Sequence, residues 1–167
     1  MPHIPKLTPL LVMLALAAAA CGSDAEALSK PEYVEQADAI CQRANDQLEP
    51  LFETFYADLE EQGVDPETEP PSDSVFVAYQ AMMTELADVW GGSLEDLRAL
   101  AAPEGDENQL ERLYDDFETA LEDAVRISDA AAEGGSAERE AMEQTDPFHD
   151  VNTRARVYGL AVCGSEE

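Results

Sequence analysis

The chain has 167 residues, 45% of them hydrophobic and 7% aromatic, with 9 Lys and Arg against 37 Asp and Glu for a formal charge of −28. At roughly 100 to 200 residues per domain this length is one domain once a leader is set aside, and an alanine-rich, aromatic-poor composition favours helices over sheets. So acidic a surface repels nucleic-acid phosphates and anionic head groups, which excludes nucleic acid as a partner and leaves cations or basic proteins.

The plainer reading of the charge is a solvated, salt-adapted surface. Seven of the nine basic residues are Arg, and high ionic strength would screen the self-repulsion.

Met1 to Lys6 is a short, weakly basic start, and Leu7 to Ala20 is a small and apolar run of 14 residues. This is the layout of a signal peptide over residues 1–20. The run is well short of the roughly 20 residues a helix needs to cross a bilayer. Ala18-Ala19-Ala20-Cys21, followed by Gly22-Ser23, resembles a bacterial lipoprotein signal, with Ala18 where such signals usually have Leu. Lipidation of Cys21 would explain an otherwise odd third cysteine in an exported chain. Two acyl chains would hold the protein stably on the outer face of the cell membrane. Ordinary cleavage after Ala20, leaving Cys21 free, is the alternative. Either cleavage removes Lys6 and no acid, so the mature chain is more negative still.

Residues 21–28 form a polar tether, and 29–167 form the folded domain. Ser29 and Glu32 make a capping box, with Leu28 and Tyr33 as the flanking hydrophobic staple. The first helix carries Val34, Ala37, Cys41, Ala44, Leu48, Leu51 and Phe55 in alternating steps of three and four, the seam of a bundle. Pro50 is expected to kink this helix or split it in two, since a proline inside a helix loses a hydrogen bond and clashes with the preceding turn. Residues 63–71 hold three prolines and several acids and read as a loop.

A second helix is expected after Ser72 or Asp73, with Tyr79, Met82, Met83, Leu86, Trp90, Leu94, Leu97 and Ala101 on one face. Gly91-Gly92 lies inside it. Two glycines cost a helix about 2 kcal/mol relative to alanines, so they point to close packing or a bend beside Trp90, with a functional hinge as the rival. Asp106 and Gln109 are expected to cap a third helix carrying Leu110, Leu113, Phe117, Ala120, Leu121, Ala124, Val125 and Ser128 and ending at Gly134-Gly135. Residues 136–144 could make a short acidic helix. Asp146 then caps a last helix with Pro147 in its first turn, and Phe148, Val151, Ala155 and Tyr158 face inward. Gly159 is placed to end it in the left-handed conformation, with Leu160 folding back on Ala155.

Cys41 lies on the inward seam, and Cys163 is the remaining cysteine if Cys21 is lipidated. An exported protein can oxidise the two to a disulfide; two buried thiols are the alternative. A bond would bring the end of the last helix beside the start of the first, because Cys163 is only about 13 Å of extended chain from Gly159. Both chain ends and the turn at Pro103 would then face the membrane in an up-and-down bundle. The distal end would carry residues 63–71 and 133–145.

No Gly-x-Ser-x-Gly, His-Glu-x-x-His, Gly-rich phosphate loop or Cys-x-x-Cys is present. Two cysteines without a nearby His supply half a metal site, so neither a metal nor a cofactor is expected. Asp146 and His149 share a helical spacing, but a carboxylate-bridged di-iron bundle needs such pairs from several helices. They read as a cap and a surface imidazole. Glu60-Glu61, Asp115-Asp116 and Glu122-Asp123 read as a solvated face. No calcium-loop spacing occurs, so calcium binding would be weak and diffuse.

The segments Tyr33 to Asn45, Asp146-Pro147-Phe148 and Tyr158 to Gly164 resemble a group of small uncharacterised actinobacterial lipoproteins that share an Ala-Asp-x-Ile-Cys helix and a Gly-Leu-x-x-Cys-Gly tail. The resemblance covers both ends of the mature chain; the middle is matched only in its helical character. It supports pairing of Cys41 with Cys163 and transfers no activity. The fold class read here is all-α, an up-and-down four-helix bundle with one disulfide behind a lipoprotein signal peptide. The leading functional expectation is a non-catalytic, lipid-anchored envelope module that binds a protein or a cation through its distal acidic loops. The second is a small-molecule or cation carrier with a pocket between helices at Trp90, Gly91 and Gly92.

Overall fold

Ser29 starts the first helix as its side chain and that of Glu32 dictate. The Glu32 carboxylate accepts the Ser29 hydroxyl at 2.5 Å and the Ser29 backbone N–H at 3.1 Å. These two bonds, the hydroxyl's first, hold the carboxyl below its ordinary pKa. In the computed structural model, which describes residues 26–64, 72–137, 139–140 and 146–165, the chain is all-helical, with no strand among those residues. The helices are α1 (Lys30–Glu61), α2 (Asp73–Ala99), α3 (Glu107–Ala132) and α4 (His149–Tyr158). None of them is long and apolar enough to cross a membrane.

α1 runs unbroken through Pro50, so the expected split does not occur. Pro50 is on the exposed face, where water can satisfy the carbonyl that the proline leaves unpaired. The next turn is pinned by Thr54, whose hydroxyl donates to the Pro50 carbonyl at 2.8 Å. Burial of Leu48 on one side of the proline and Leu59 on the other favours one continuous helix.

Neighbouring helices alternate in direction. Arg43 meets Asp96 and Phe55 meets Tyr79 across α1 and α2, while Arg98 meets Asp115 and Gln80 meets Asp129 across α2 and α3. Across α3 and α4, Tyr158 donates to Asp106 and Arg154 pairs with Asp116. The three long helices span about 40 to 48 Å at 1.5 Å per residue, whereas α4, with 10 residues, spans about 15 Å. The four-helix section is therefore confined to one part of the bundle. Its core holds Tyr33, Ala37, Cys41, Leu97, Leu113, Tyr114, Val151, Ala155 and Leu160.

Asp106 departs from expectation. Its carboxylate does not cap α3; it accepts the Tyr158 hydroxyl at 2.9 Å and lies 3.6 Å from Lys30 Nζ. Asp106 still opens α3 through its carbonyl, which receives the Gln109 and Leu110 N–H groups. A buried phenol needs an acceptor more than a solvated helix end needs a cap. Tyr33 and Tyr114 share a hydrogen bond nearby, and Tyr33 packs edge-on against Tyr158. α4 starts two residues later than Asp146 and Pro147 suggest, because Asp146 closes a local turn instead, accepting the Phe148 N–H at 2.9 Å.

Gly159 ends α4 at φ +117°, and the Leu160 N–H returns to the Ala155 carbonyl at 2.9 Å. The tail then turns along α1. Cys163 and Cys41 form a disulfide with Cα atoms 5.1 Å apart, and the Asp38 carboxylate accepts the N–H groups of Ala161, Val162 and Cys163 at 3.2, 2.9 and 3.3 Å. Gly164 is required by proximity, since a Cβ there would lie 2.7 Å from the Asn152 carbonyl oxygen.

The disulfide closes a loop of sequence separation 122, so replacing both cysteines by Ala should lower unfolding free energy in urea by up to about 5 kcal/mol, the chain-entropy limit. An unchanged midpoint would show that Asp38 and the apolar tail suffice. Burial, before the hydrogen bond to each partner, raises the ionisation of Tyr114 and Tyr158 well above the ordinary value of 10.0. The folded state thus keeps protons that the unfolded chain releases, so this contribution is complete below about pH 9 and declines as pH rises past about 10. Titrated unfolding should show that decline, reduced in Tyr114→Phe.

Candidate functional site

The helical rise turns each residue about 100° from the last, and Trp90, Gly91 and Gly92 consequently face three different spaces. Gly91 lies in the outer groove between α2 and α3, and Gly92 in the groove between α1 and α2. A Cβ at either glycine would meet nothing within 4 Å, so no neighbouring backbone approaches them, and α2 continues through both. Trp90 faces inward. The three residues do not share a pocket.

The α2–α3 groove holds about 690 Å³, and five acids, Glu95, Glu118, Glu122, Asp129 and Glu133, line it against two cations, Arg98 and Arg126, both engaged in ion pairs. Arg98 bonds Asp115 at 3.0 Å and Glu118 at 2.8 Å, which raises its pKa further, chiefly through Glu118. Arg126 bonds Asp123 at 2.9 Å. Exposed pairs of this kind describe a solvated helix seam, each contributing a few tenths of a kcal/mol.

The cavity beside Trp90 has a different chemistry. It measures about 250 Å³ and draws on every helix and the tail: Asn45, Leu48 and Phe52 from α1, Leu86 and Trp90 from α2, and Phe117 from α3. Asp146 and Phe148 before α4, Asn152 within it, and Val162, Cys163 and Ser165 after it complete the wall. Trp90 packs edge-on against Phe117 with ring centres 5.2 Å apart, and Phe117 lies 5.7 Å from Phe148, so three rings form a continuous wall. Behind Trp90 and Phe117 lies a void of about 20 Å³, lined also by both disulfide cysteines and Leu160.

The polar groups are few. One Asp146 carboxylate oxygen holds the Phe148 N–H, and the Ser165 hydroxyl donates to the Val162 carbonyl at 2.7 Å. The Asn45 and Asn152 carboxamides have no hydrogen-bond partner among the described residues, and no side-chain polar atom there is both fully buried and unpaired. Both amides are half-buried and open to the cavity or to solvent.

Of the residues expected to form a ligand site, only Trp90 belongs to this cavity. Phe52, Phe117, Phe148, Asn45 and Asn152 escaped that expectation. The legible signal was a carboxamide directly after an inward residue, Asn45 after Ala44 and Asn152 after Val151. Cys21, residues 65–71 and residues 141–145 lie outside the described residues. At the distal end Arg139 bonds Asp73 at 2.8 Å, donates to the Ala131 carbonyl at 2.9 Å and covers the Phe76 ring at 4.2 Å. His149 is exposed. No group of three or more His, Cys, Asp or Glu among the described residues is arranged to hold a metal.

Trp90 is the chain's one Trp, and Cys163 lines the same cavity. Reducing the disulfide should free the tail wall, admit water and shift the indole emission to longer wavelength while the helical circular dichroism is retained. An emission maximum indifferent to reduction would separate the tail from the cavity. Comparison of the chain with family models, curated proteins and solved structures returns no match.

Proposed function

We propose that the chain is an exported, lipid-anchored, non-catalytic protein of the cell envelope that binds a small ligand in the cavity beside Trp90. The observation that carries the binding role is the cavity itself, with three contiguous aromatic rings and two unpaired carboxamides contributed by separate helices. Apolar walls with a few convergent polar groups are the usual makeup of ligand sites, and bundles build them between helices. The volume of about 250 Å³ is below the roughly 300–1,000 Å³ of drug-sized sites and suits a small molecule.

The anchor rests on the lipoprotein-like segment ending at Cys21. A compatible feature is that the start of α1, the turn before α3 and the end of α4 share one end, joined by the Leu28 N–H to the Ala101 carbonyl at 3.3 Å and by Lys30 and Tyr158 at Asp106. A tether at Cys21 would hold that end at the membrane and leave the cavity further out. The non-catalytic role rests on the lack of any nucleophile–base or metal-ligand motif in the sequence.

Mass measurement of the N-terminal peptide from the native envelope should show a diacylglycerol on Cys21; an unmodified cysteine removes the anchor. Native mass spectrometry of the same preparation should show a small retained mass, lost in Phe148→Ala. A protein that carries nothing, and whose Trp90 emission responds saturably to no fragment in a small-molecule screen, defeats the binding role.

A further inference from the structure

We infer that the cavity takes a small organic cation, an ammonium or quaternary ammonium group on a short apolar body; this rests on the ligand-binding role proposed above. The lining concentrates the chain's aromatic resources. Three of its five Phe and its one Trp are there, although only 7% of the residues are aromatic. Aromatic faces attract a cation through the ring quadrupole, with about 0.5 to 2 kcal/mol available per contact depending on desolvation, and Trp is the strongest partner. They offer nothing comparable to an anion.

The charges around the cavity point the same way. Among the described residues of the lining, Asp146 is the one ionisable side chain besides the disulfide-bonded Cys163, and none is a Lys, Arg or His that would neutralise an acid. One of its oxygens is committed to the Phe148 N–H, and the other has no partner among the described residues. Asp146 is exposed while the rings are half-buried, which sets the carboxylate at the mouth and the aromatic wall behind it. A ligand with its cationic head among the rings and toward Asp146 could turn a hydroxyl or carbonyl to Asn45 and Asn152, the two open amides. A lone carboxylate is a poor site for a metal ion, which needs several oxygen donors. It is sufficient for a soft, weakly hydrated organic cation held largely by rings. The formal charge of −28 concentrates cations near the surface and disfavours anionic ligands from the outset.

The test uses the full mature protein in physiological salt, which screens diffuse attraction to the acidic surface. Trp90 emission and calorimetry are followed on titration with choline, its uncharged carbon isostere and an isosteric carboxylate. Choline should bind at least tenfold more tightly than the uncharged isostere, and the carboxylate should not bind. Asp146→Asn keeps the oxygen that receives the Phe148 N–H and removes the charge. It should weaken choline about tenfold and leave the uncharged isostere unchanged, whereas Glu111→Gln, an exposed acid elsewhere on α3, should change neither. Equal binding of choline and the uncharged isostere overturns the cationic assignment and leaves the cavity a ligand site. Choline binding that ignores Asp146→Asn, or that falls equally in Glu111→Gln, reduces the effect to diffuse surface attraction and overturns it as well. Silence of Trp90 and of the calorimeter toward all three compounds overturns the inference together with the binding role.

Discussion

The attachment of the C-terminal tail to α1 is the constraint on which the rest of this structure depends. α4 has only 10 residues and an exposed Val157, too little apolar surface to hold its place alone. Its position is set by the tail beyond Gly159. Leu160, almost fully buried, folds back under the left-handed Gly159, Cys163 is bonded to Cys41, and Asp38 receives three consecutive N–H groups of the turn. Hydrogen bonds to an ionised acceptor are among the stronger ones, and the covalent link removes freedom from the unfolded chain. Together they close α4 between α1 and α3 and bring Val162, Cys163 and Ser165 to the wall of the cavity.

That closure gives a structural task to residues at both ends of the folded chain. Ala37 and Ile40 are buried, Asp38 holds the tail and Cys41 bonds it. At the other end, Gly159 adopts a backbone conformation that L side chains rarely take, and Gly164 leaves room for the Asn152 carbonyl. Each of these residues has a task in the closure, and none of them has to be assigned to chemistry. The polar groups without a partner among the described residues are the Asn45 and Asn152 carboxamides and one oxygen of Asp146.

The acidity of the chain also divides into parts. Arg98, Arg126 and Arg154 each meet acids on the outer faces of the helices, and the remaining carboxylates are mostly solvated. Asp106 is different, because it accepts a phenol that is otherwise buried among tyrosines. Asp146 differs again, lying at an aromatic cavity with one oxygen on the Phe148 N–H. Surface charge sets a background potential that favours cations everywhere; only the combination with apolar walls gives a place where one could be desolvated and held.

The sequence by itself determined the helical class, the start at Ser29, a second start at Ser72 or Asp73, the stop at Gly159 and the inward stripes, because caps and periodicity act over one or two turns of chain. It also pointed to the cysteine pair, as composition and placement left few other uses for them. The tertiary structure decided what depends on neighbours. Pro50 is accommodated because its face is exposed, Asp106 is drawn from its cap by Tyr158, and Gly91 and Gly92 open on separate grooves rather than against a packed backbone. The cavity belongs wholly to this second class. Asn45, Trp90, Phe117, Phe148 and Asn152 are spread over more than 100 residues, and no local spacing relates them. They meet only when the tail has closed α4 against the first and third helices.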